Sequence, residues 1–443
     1  MRNVISAVSK TVVPSGSLEK SKKQIAQLAF NLVQKETIKF PEVIGLEFGG
    51  SFAKGTWLPK DADIDIFIRF NKNTSEEKFE KISKKIGFDS LKKYSPYVRY
   101  SQHPYVEAEI KNTKINVVPF YDVKIGEWKS AVDRSTFHTR FMKKSLTSRM
   151  KNEVRILKTF LKSNRIYGAE IAKQGFSGYV SEVLILHFGS FKNVIKSMST
   201  IKEKQVIGKT SKKFETSIVI IDPIDSNRNL AAAISDENIG KFILICRAFK
   251  EKPKLDFFKN KKSQISKEYW DNLLVVNFDY KSRSPDIIWG QIKRATSSLT
   301  IQLELEGFRV LRSKSHIDQQ NEIYLFFFLE STKISSIYLK NGPEFFREDN
   351  TKSFISKNIQ NSKLLWVGNN KKIIALGKRK HTEVTKFIAE FLKKNFQVGI
   401  PQGLQNDFKR GFNVSIGSKN LSKSIKEAAS ELISIDDTLL YFN

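Results

Sequence analysis

The chain carries a single cysteine, Cys246, among 443 residues. That excludes an intramolecular disulfide and a cysteine-based zinc site, and it fits a reducing compartment. Histidine is also scarce. The five present, His103, His138, His187, His316 and His381, are scattered without H-E-x-x-H or similar spacing, so no histidine metal cluster is visible. Any metal is therefore expected on carboxylates. No run approaches the ~18 apolar residues of a membrane span, and the opening MRNVISAVSKTVVPSG lacks a long apolar core. A soluble, cytoplasmic protein without a membrane partner is expected. Acidic residues are the last deficit: 46 Asp+Glu stand against 76 Lys+Arg, a formal charge of +30. Such a chain repels itself unless it meets a polyanion, nucleic acid before others. The bland alternative is a lysine-rich, solvated surface.

Apolar material is sufficient, at 40% of residues, and the length exceeds what one core supports, so about three domains are expected. Ser17, a candidate cap, precedes an amphipathic helix marked by Leu18, Ile25, Leu28, Ala29, Leu32 and Val33. A strand is expected over Val43 to Phe48, then a turn at Gly49, Gly50 and Ser51. A second strand comes next, in which Ile64, Ile66 and Ile68 alternate with Asp63, Asp65 and Phe67. Val106 to Ile110 and Ile115 to Val118 read as a hairpin joined by Lys111 to Lys114. From Thr136 to about Phe249 the pattern is helical, with one apolar stripe at Met150, Val154, Leu157 and Leu161 and another at Val180, Val183, Leu184 and His187. Pro253 and the lysine-rich stretch through Lys262 mark a boundary. Beyond it come a strand (Leu273 to Phe278), a helix (Ile288, Ile292, Leu299, Leu303) and two strands (Phe308 to Leu311, Ile323 to Leu329). This order suggests an α+β domain like those of many RNA-binding modules, without the aromatic RNA-recognition signature. No internal repeat, low-complexity tract or coiled-coil heptad is present.

The chemistry lies between Phe48 and Ile66. Two carboxylates at i and i+2 on a strand, Asp63 and Asp65, share one face and can share hard cations that prefer oxygen. Twelve residues ahead of Asp63, the Gly49-Gly50-Ser51 turn can bring main-chain N–H groups and a hydroxyl against a triphosphate. Either feature alone is weak, since paired acids are commonly solvated edge charges and Gly-Gly-Ser is commonly only a turn. Together they describe a nucleotide held between a phosphate nest and a metal pair.

With those residues, the chain resembles the archaeal-type (class I) CCA-adding tRNA nucleotidyltransferases of the DNA polymerase β superfamily. The resemblance rests on further blocks: His103-Pro104-Tyr105-Val106, Ser130-Ala131-Val132-Asp133-Arg134, Asn152-Glu153-Val154-Arg155 and Ile166-Tyr167-Gly168-Ala169-Glu170. Gly175-Phe176-Ser177-Gly178-Tyr179, Asp222-Pro223 with Arg228-Asn229, and Gly342-Pro343-Glu344-Phe345-Phe346 continue it. It fades after about Asn358. The resemblance implies an α+β, multidomain protein: a polymerase β-like palm of mixed sheet and helices over 1–135, a helical central domain over 136–262, and a C-terminal RRM/ferredoxin-like α+β body with a tail over 263–443. It implies addition and repair of the 3′-terminal C-C-A of tRNA from CTP and ATP, with Mg²⁺ on Asp63 and Asp65 and with a homodimer. By motif, Gly50, Ser51 and Lys54 would meet the triphosphate, Ser135, His138, Lys158 and Tyr167 the ribose and phosphates, and Arg228 the base edge alongside the RNA backbone. Read without the resemblance, Lys158 would snorkel along its helix, Tyr167 would be core, Arg228 a surface ion pair, and Ser135 or His138 a cap or packed side chain. Ser135 stands where the family usually has threonine.

One position departs from the pattern. Polymerase β-like sites use a third carboxylate on a neighbouring strand, and in Lys114-Ile115-Asn116-Val117-Val118-Pro119 that position is Asn116. An amide oxygen coordinates Mg²⁺ but brings no charge and cannot serve as a base. The chain is then a slowed engineered enzyme, a natural variant, or a tRNA-binding protein descended from an enzyme. An ATP-only relative of poly(A) polymerase or oligoadenylate synthetase is the other reading. A hairpin turning at Asn112 and Thr113 would set Glu109 opposite Asn116, where it could supply the missing charge.

Overall fold

The computed structural model describes residues 1–100, 104–259, 268–318, 321–360, 362 and 364–442. His103 and the end of the lysine-rich boundary, Lys261 and Lys262, lie outside the described residues. The chain forms two compact units, one of Met1–Lys262 with Ser284–Asp286 and Asp436–Asn443, the other of Ser263–Arg283 with Ile287–Ile435.

The first unit opens with α1 (Arg2–Val12) and α2 (Gly16–Thr37). The cap of α2 is Ser15, whose hydroxyl accepts from the Leu18 amide at 3.3 Å, and not Ser17, which lies inside the helix. The chain continues through β1 (Val43–Phe48), α3 (Gly50–Lys54), β2 (Ile64–Phe70), α4 (Glu76–Leu91), β3 (Tyr97–Tyr100), β4 (Pro104–Glu109) and β5 (Lys114–Tyr121). These strands form one mixed sheet in the order β1-β2-β5-β4-β3, with β2 and β5 parallel and the remaining pairs antiparallel. Ile64, Ile66 and Ile68 are fully buried against Ala26, Ala29 and Val33 of α2 and Phe79 and Ile86 of α4. Because strand side chains alternate, burying the isoleucines turns Asp65 to the opposite face. Asp133 ties the end of β5 to the helical region. Its carboxylate accepts from the amides of Tyr121, Lys129 and Ser130 at 2.8, 2.9 and 2.7 Å, closing a capping box at the start of the next helix.

That helix, α5 (Ala131–Ser145), leads into α6 (Ser148–Ser163), α7 (Gly178–Phe188), α8 (Phe191–Ser199) and, after three short strands, α9 (Asp236–Glu251). They share a core rich in phenylalanine, among them Phe160, Phe176, Phe191, Phe242 and Phe249, and Val8 and Val12 of α1 pack into it. His187, placed by its spacing on an apolar stripe, is exposed. The region is less uniformly helical than its pattern suggests. β6 (Val206–Ile207), β7 (Val219–Asp222) and β8 (Asp225–Asn229) form a small separate sheet.

In the second unit, β9 (Leu273–Asp279), α10 (Pro285–Glu306), β10 (Val310–Ile317) and β11 (Glu322–Leu329) are followed by β12 (Ile337–Glu344), α11 (Glu348–Ile359), β13 (Leu365–Val367) and β14 (Lys372–Lys378). The chain then runs through α12 (Val384–Gly399), α13 (Gln402–Phe408), β15 (Asn413–Ile416) and α14 (Lys423–Ser430). Strands β10-β11-β9-β15 pair antiparallel in that order. This is a ferredoxin-like sheet, into which the β12-β14-β13 sheet and α11 are inserted. The strand expected over Phe308 to Leu311 starts later: Phe308 is core, and β10 runs from Val310 to Ile317. Helices α10 and α12 cover one face. On the other, Tyr324 and Phe326 are buried with Leu421, Ile425 and Leu432, so their rings are not free to stack bases.

Candidate active site

The centre of the site is the crossing from β1 to α3 beside β2. The Gly49 amide donates to the Asp65 carbonyl at 2.8 Å. Gly50 comes next at φ +61, where a Cβ would fall 1.7 Å from Asp65 Oδ2. Glycine is thus required twice over, for the left-handed backbone and for the open carboxylate oxygen. Ser51 is half-buried on the first turn of α3, which ends at Gly55 with φ +70. Asp63 immediately precedes β2 and is exposed, yet protein crowds it. Desolvation, and then the charge of Asp65, push its carboxyl above the ordinary range. Asp65 is raised too, by burial, against the hydrogen bond of Asn116 and the charge of Lys54.

Asn116 lies beside Asp65 in the parallel β2–β5 register, and its Nδ2 donates to Asp65 Oδ1 at 2.8 Å. The residue opposite Asn116 on β4 is Glu107, while Glu109 is paired with Lys114. The expectation for Glu109 therefore fails, because the turn is one residue earlier. Lys111 and Asn112 take φ of 48 and 56, and Ile110 and Thr113 exchange hydrogen bonds of 2.9 and 3.0 Å around them. This is the two-residue turn that matches strand twist. The register moves by two residues, which keeps the face and exchanges one glutamate for the other. Glu107 is buried, accepts from the Tyr97 hydroxyl, and pairs with Arg99 at 3.5 Å.

A second cluster lies where α3 meets the helices. Glu182, fully buried on α7, accepts from Lys54 Nζ at 2.6 Å and Thr56 Oγ1 at 2.6 Å, and Lys158 Nζ lies 3.5 Å away. Lys158 also donates to the Thr56 carbonyl at 3.1 Å and hydroxyl at 3.2 Å. It is 2% exposed and does not snorkel. Burial, opposed by Glu182 and assisted by Lys54, lowers its ammonium to about 8. Tyr167 is half-buried beside it. A Cβ on Gly178 would lie 2.9 Å from the Tyr167 hydroxyl and 3.5 Å from Lys158 Nζ.

A third cluster centres on Asp222, the last residue of β7 and 1% exposed. One oxygen accepts from His138 Nε2 and from Arg228, both at 2.9 Å; the other accepts from the Tyr179 hydroxyl at 2.8 Å and the Ile224 amide at 3.1 Å. Burial opposes ionisation, but the hydrogen bond from His138, the Ile224 amide and Tyr179 outweigh it and hold Asp222 at about 2. His138 is shifted downward by burial, so near neutrality it is an uncharged ring donating Nε2–H. It stacks on Tyr179 with centroids 3.7 Å apart. Ser135 is half-buried one turn before His138 on α5.

Glu107, Thr56, Glu182 and Asp222 carry geometry that a reading of the sequence did not single out as functional. One signal was available. Glu182 is a lone carboxylate in Gly178-Tyr179-Val180-Ser181-Glu182-Val183-Leu184-Ile185-Leu186, a helix apolar nearly all round, where a charge must be buried and paired.

A carboxylate strand beside a glycine-serine turn, on a mixed sheet joined to helices that bring buried lysines, defines a nucleotidyltransferase. Family models agree: one described as nucleotidyltransferase domain matches residues 32–142, tRNA nucleotidyltransferase second domain 152–259, and CCA-adding enzyme C-terminal domain 271–417. The chain is 35% identical over 368 residues to the CCA-adding enzyme of Saccharolobus shibatae, spanning 82% of this chain and 86% of that one. It is 33% identical over 391 residues to that of Sulfurisphaera tokodaii, spanning 88% and 90%. Among solved structures, the Cid1 poly(U) polymerase superposes with a TM-score of 0.45 at 12% identity, over 58% of this chain and 98% of that one, too loosely to add to the argument. The chain belongs to the family of CCA-adding enzymes.

Nucleotidyltransferases of this type use divalent metal ions. The residues present fit one. Asn116 Oδ1 is buried with no hydrogen-bond partner among the described residues, Asp65 Oδ2 is kept open by Gly50, and Asp63 would add a third oxygen donor. Among the described residues no three His, Cys, Asp or Glu side chains are grouped to hold a metal by themselves. A cation here would complete its shell with water and phosphate, as small hard cations do.

Proposed function

We propose that the protein adds and repairs the 3′-terminal C-C-A of tRNA without a nucleic-acid template, using CTP and ATP and releasing pyrophosphate, with Mg²⁺ as the cation. The observation that carries this is the 1.7 Å closeness of a Gly50 Cβ position to Asp65 Oδ2. The main chain that would cradle phosphate and the carboxylate that would hold metal are thereby parts of one surface. Asp63, Asp65 and the Asn116 amide oxygen would bind the cation, which supplies charge stabilisation for the attacking and leaving oxygens. Gly50, Ser51 and Lys54 receive the triphosphate, with Lys158 and Tyr167 behind them. Ser135 and His138 face the ribose, and Arg228, held by Asp222, presents its guanidinium to the base edge. Neutral His138 hydrogen-bonds to the ribose without adding charge.

Residues 1–135 form the catalytic domain in this reading, 136–262 the neck that receives nucleotide and acceptor end, and 263–443 the body and tail that hold tRNA. The charge of +30 supports backbone binding that weakens steeply with salt. No helix of the described residues is long and apolar enough to cross a membrane. We place the activity in the cytoplasm because tRNA is its substrate, and the homodimer implied by the family is read by sedimentation.

The test is incubation of tRNA lacking C-C-A with each nucleotide and both. Three residues added and then arrest support the proposal. Open-ended adenylation supports an ATP-only polymerase. Asn116 motivates a second reading, a tRNA-binding protein without catalysis, which predicts salt-sensitive binding and no incorporation at any time.

A further inference from the structure

We propose that Glu182 is a positioning residue that holds Lys54 and Lys158 together as one preset seat for the triphosphate of the incoming nucleotide. The inference rests on the reading of those lysines as triphosphate contacts, and adds a residue that no motif assigns.

Glu182 is fully buried, an unfavourable place for a carboxylate unless every lone pair is used. Its three partners come from two separate segments: Lys54 at the end of α3 with Thr56 just beyond it, and Lys158 on α6. Thr56 works in both directions, donating to Glu182 Oε1 and accepting from Lys158 through its hydroxyl at 3.2 Å and carbonyl at 3.1 Å. Both ammonium groups are thus immobilised at the end of the helix that starts at Gly50 and Ser51. The rotamer freedom a lysine would lose on meeting phosphate is already lost on folding.

The charges do not cancel. Two ammonium groups share one carboxylate, so the cluster keeps a positive charge that a polyanion would neutralise. The groups that set the proton affinity of Lys158 are Glu182 on α7, Lys54 on α3 and Lys162 on its own helix, with the Tyr167 hydroxyl against Gly178 nearby. Only Glu182 among them favours the ammonium. Without it, Lys158 would lose its proton more readily and Lys54 its anchor. A glutamate needed only for packing would have no bearing on either.

The experiment uses the full chain with Glu182→Gln and Glu182→Asp. Inorganic tripolyphosphate and CTP are titrated by calorimetry, and KM and kcat are measured with tRNA lacking C-C-A from pH 6 to 9. Glu182→Gln is expected to weaken CTP, ATP and tripolyphosphate by a common factor of ten or more, with a smaller fall in kcat. The alkaline limb of kcat/KM, set by the Lys158 ammonium, is expected to move to lower pH, and Glu182→Asp to recover part of both. Wild-type tripolyphosphate binding by Glu182→Gln, or an unmoved alkaline limb, overturns the role of Glu182. If Glu182→Gln does not fold, Thr56→Val and Glu182→Asp decide: each should weaken tripolyphosphate severalfold, and unchanged binding in both overturns the inference. Lys54→Ala and Lys158→Ala separate the two levels. Unchanged tripolyphosphate binding in these overturns the reading of the lysines themselves, whereas a loss in these with none in Glu182→Gln removes only the positioning role.

Discussion

Asn116 donates its side-chain amide to Asp65 Oδ1 at 2.8 Å across the parallel pairing of β5 with β2. A carboxylate at 116 would put like charge against Asp65 in the same geometry, to be relieved by a shared proton or by a cation. The asparagine instead gives Asp65 a neutral hydrogen-bond donor and, in the proposed cation site, would bring one negative charge fewer.

Asn116→Asp should reverse that balance. Melting in EDTA should show a loss on the order of 1–3 kcal/mol, the usual cost of replacing a buried hydrogen bond by an unmatched group. Added Mg²⁺ or Mn²⁺ should restore the loss, and Mn²⁺ affinity by electron paramagnetic resonance should rise at least tenfold. Equal melting shifts with and without cation would refute this.

Asp65 should cost stability in the metal-free protein. Its pKa is raised above its unfolded value by burial, so the ionised form is disfavoured on folding. The penalty is present above the folded pKa and disappears as the carboxyl protonates at lower pH. Asp65→Asn should melt higher than wild type at neutral pH in EDTA, show no such advantage in acid, and incorporate no nucleotide. A lower melting temperature at both pH values would contradict the sign.

Asp222 should behave in the opposite sense. Its pKa is depressed from 3.8 to about 2, so its contribution is present above about 4 and is lost as pH falls through the folded value. That contribution is roughly 2 kcal/mol. Acid titration of wild type should show the loss between about pH 4 and pH 2, the window set by the shift, and Asp222→Asn should lack it. The variant should also raise KM for both nucleotides, because Arg228 and His138 lose the oxygen they share.

Asp133 belongs to a block that marks the family, yet its carboxylate is wholly spent on the Tyr121, Lys129 and Ser130 amides and the Ser130 hydroxyl. Asp133→Ala should destabilise by about 3 kcal/mol, since buried donors are left unmatched. Nucleotide affinity of the fraction still folded, measured well below the melting temperature, should be near wild type. A selective loss of CTP binding at unchanged stability would make it a nucleotide contact instead.

Much of the site was legible from short-range pattern. Isoleucines at 64, 66 and 68 must be buried on one side of a strand, so Asp65 had to face the other, and a Gly-Gly-Ser turn ahead of it required no knowledge of distant residues. The excess of positive charge and the lack of cysteine and histidine ligands likewise limited the partner and the metal chemistry from composition alone. Glu109 shows where this stops. The turn at Lys111 and Asn112 lacks the Asn-Gly signal of its class, and a shift of one residue in the turn moved the pairing by two and put Glu107 beside Asn116.

The remaining relationships depend on separation along the chain. Lys54 and Glu182 are 128 positions apart, and His138 and Asp222 are 84 apart. No periodicity reports such pairs, because they are selected when helices and sheets pack and each buried charge must find whatever partner the packing brings. Residue pattern and composition were enough to define a basic, multidomain α+β chain and to nominate Asp63 and Asp65, the pair on which the proposed metal-dependent nucleotide chemistry rests. It took the packed chain to show that Asn116 is bound to Asp65, that Glu107 is the acid across from Asn116, and that one buried glutamate, Glu182, holds Lys54 and Lys158 together.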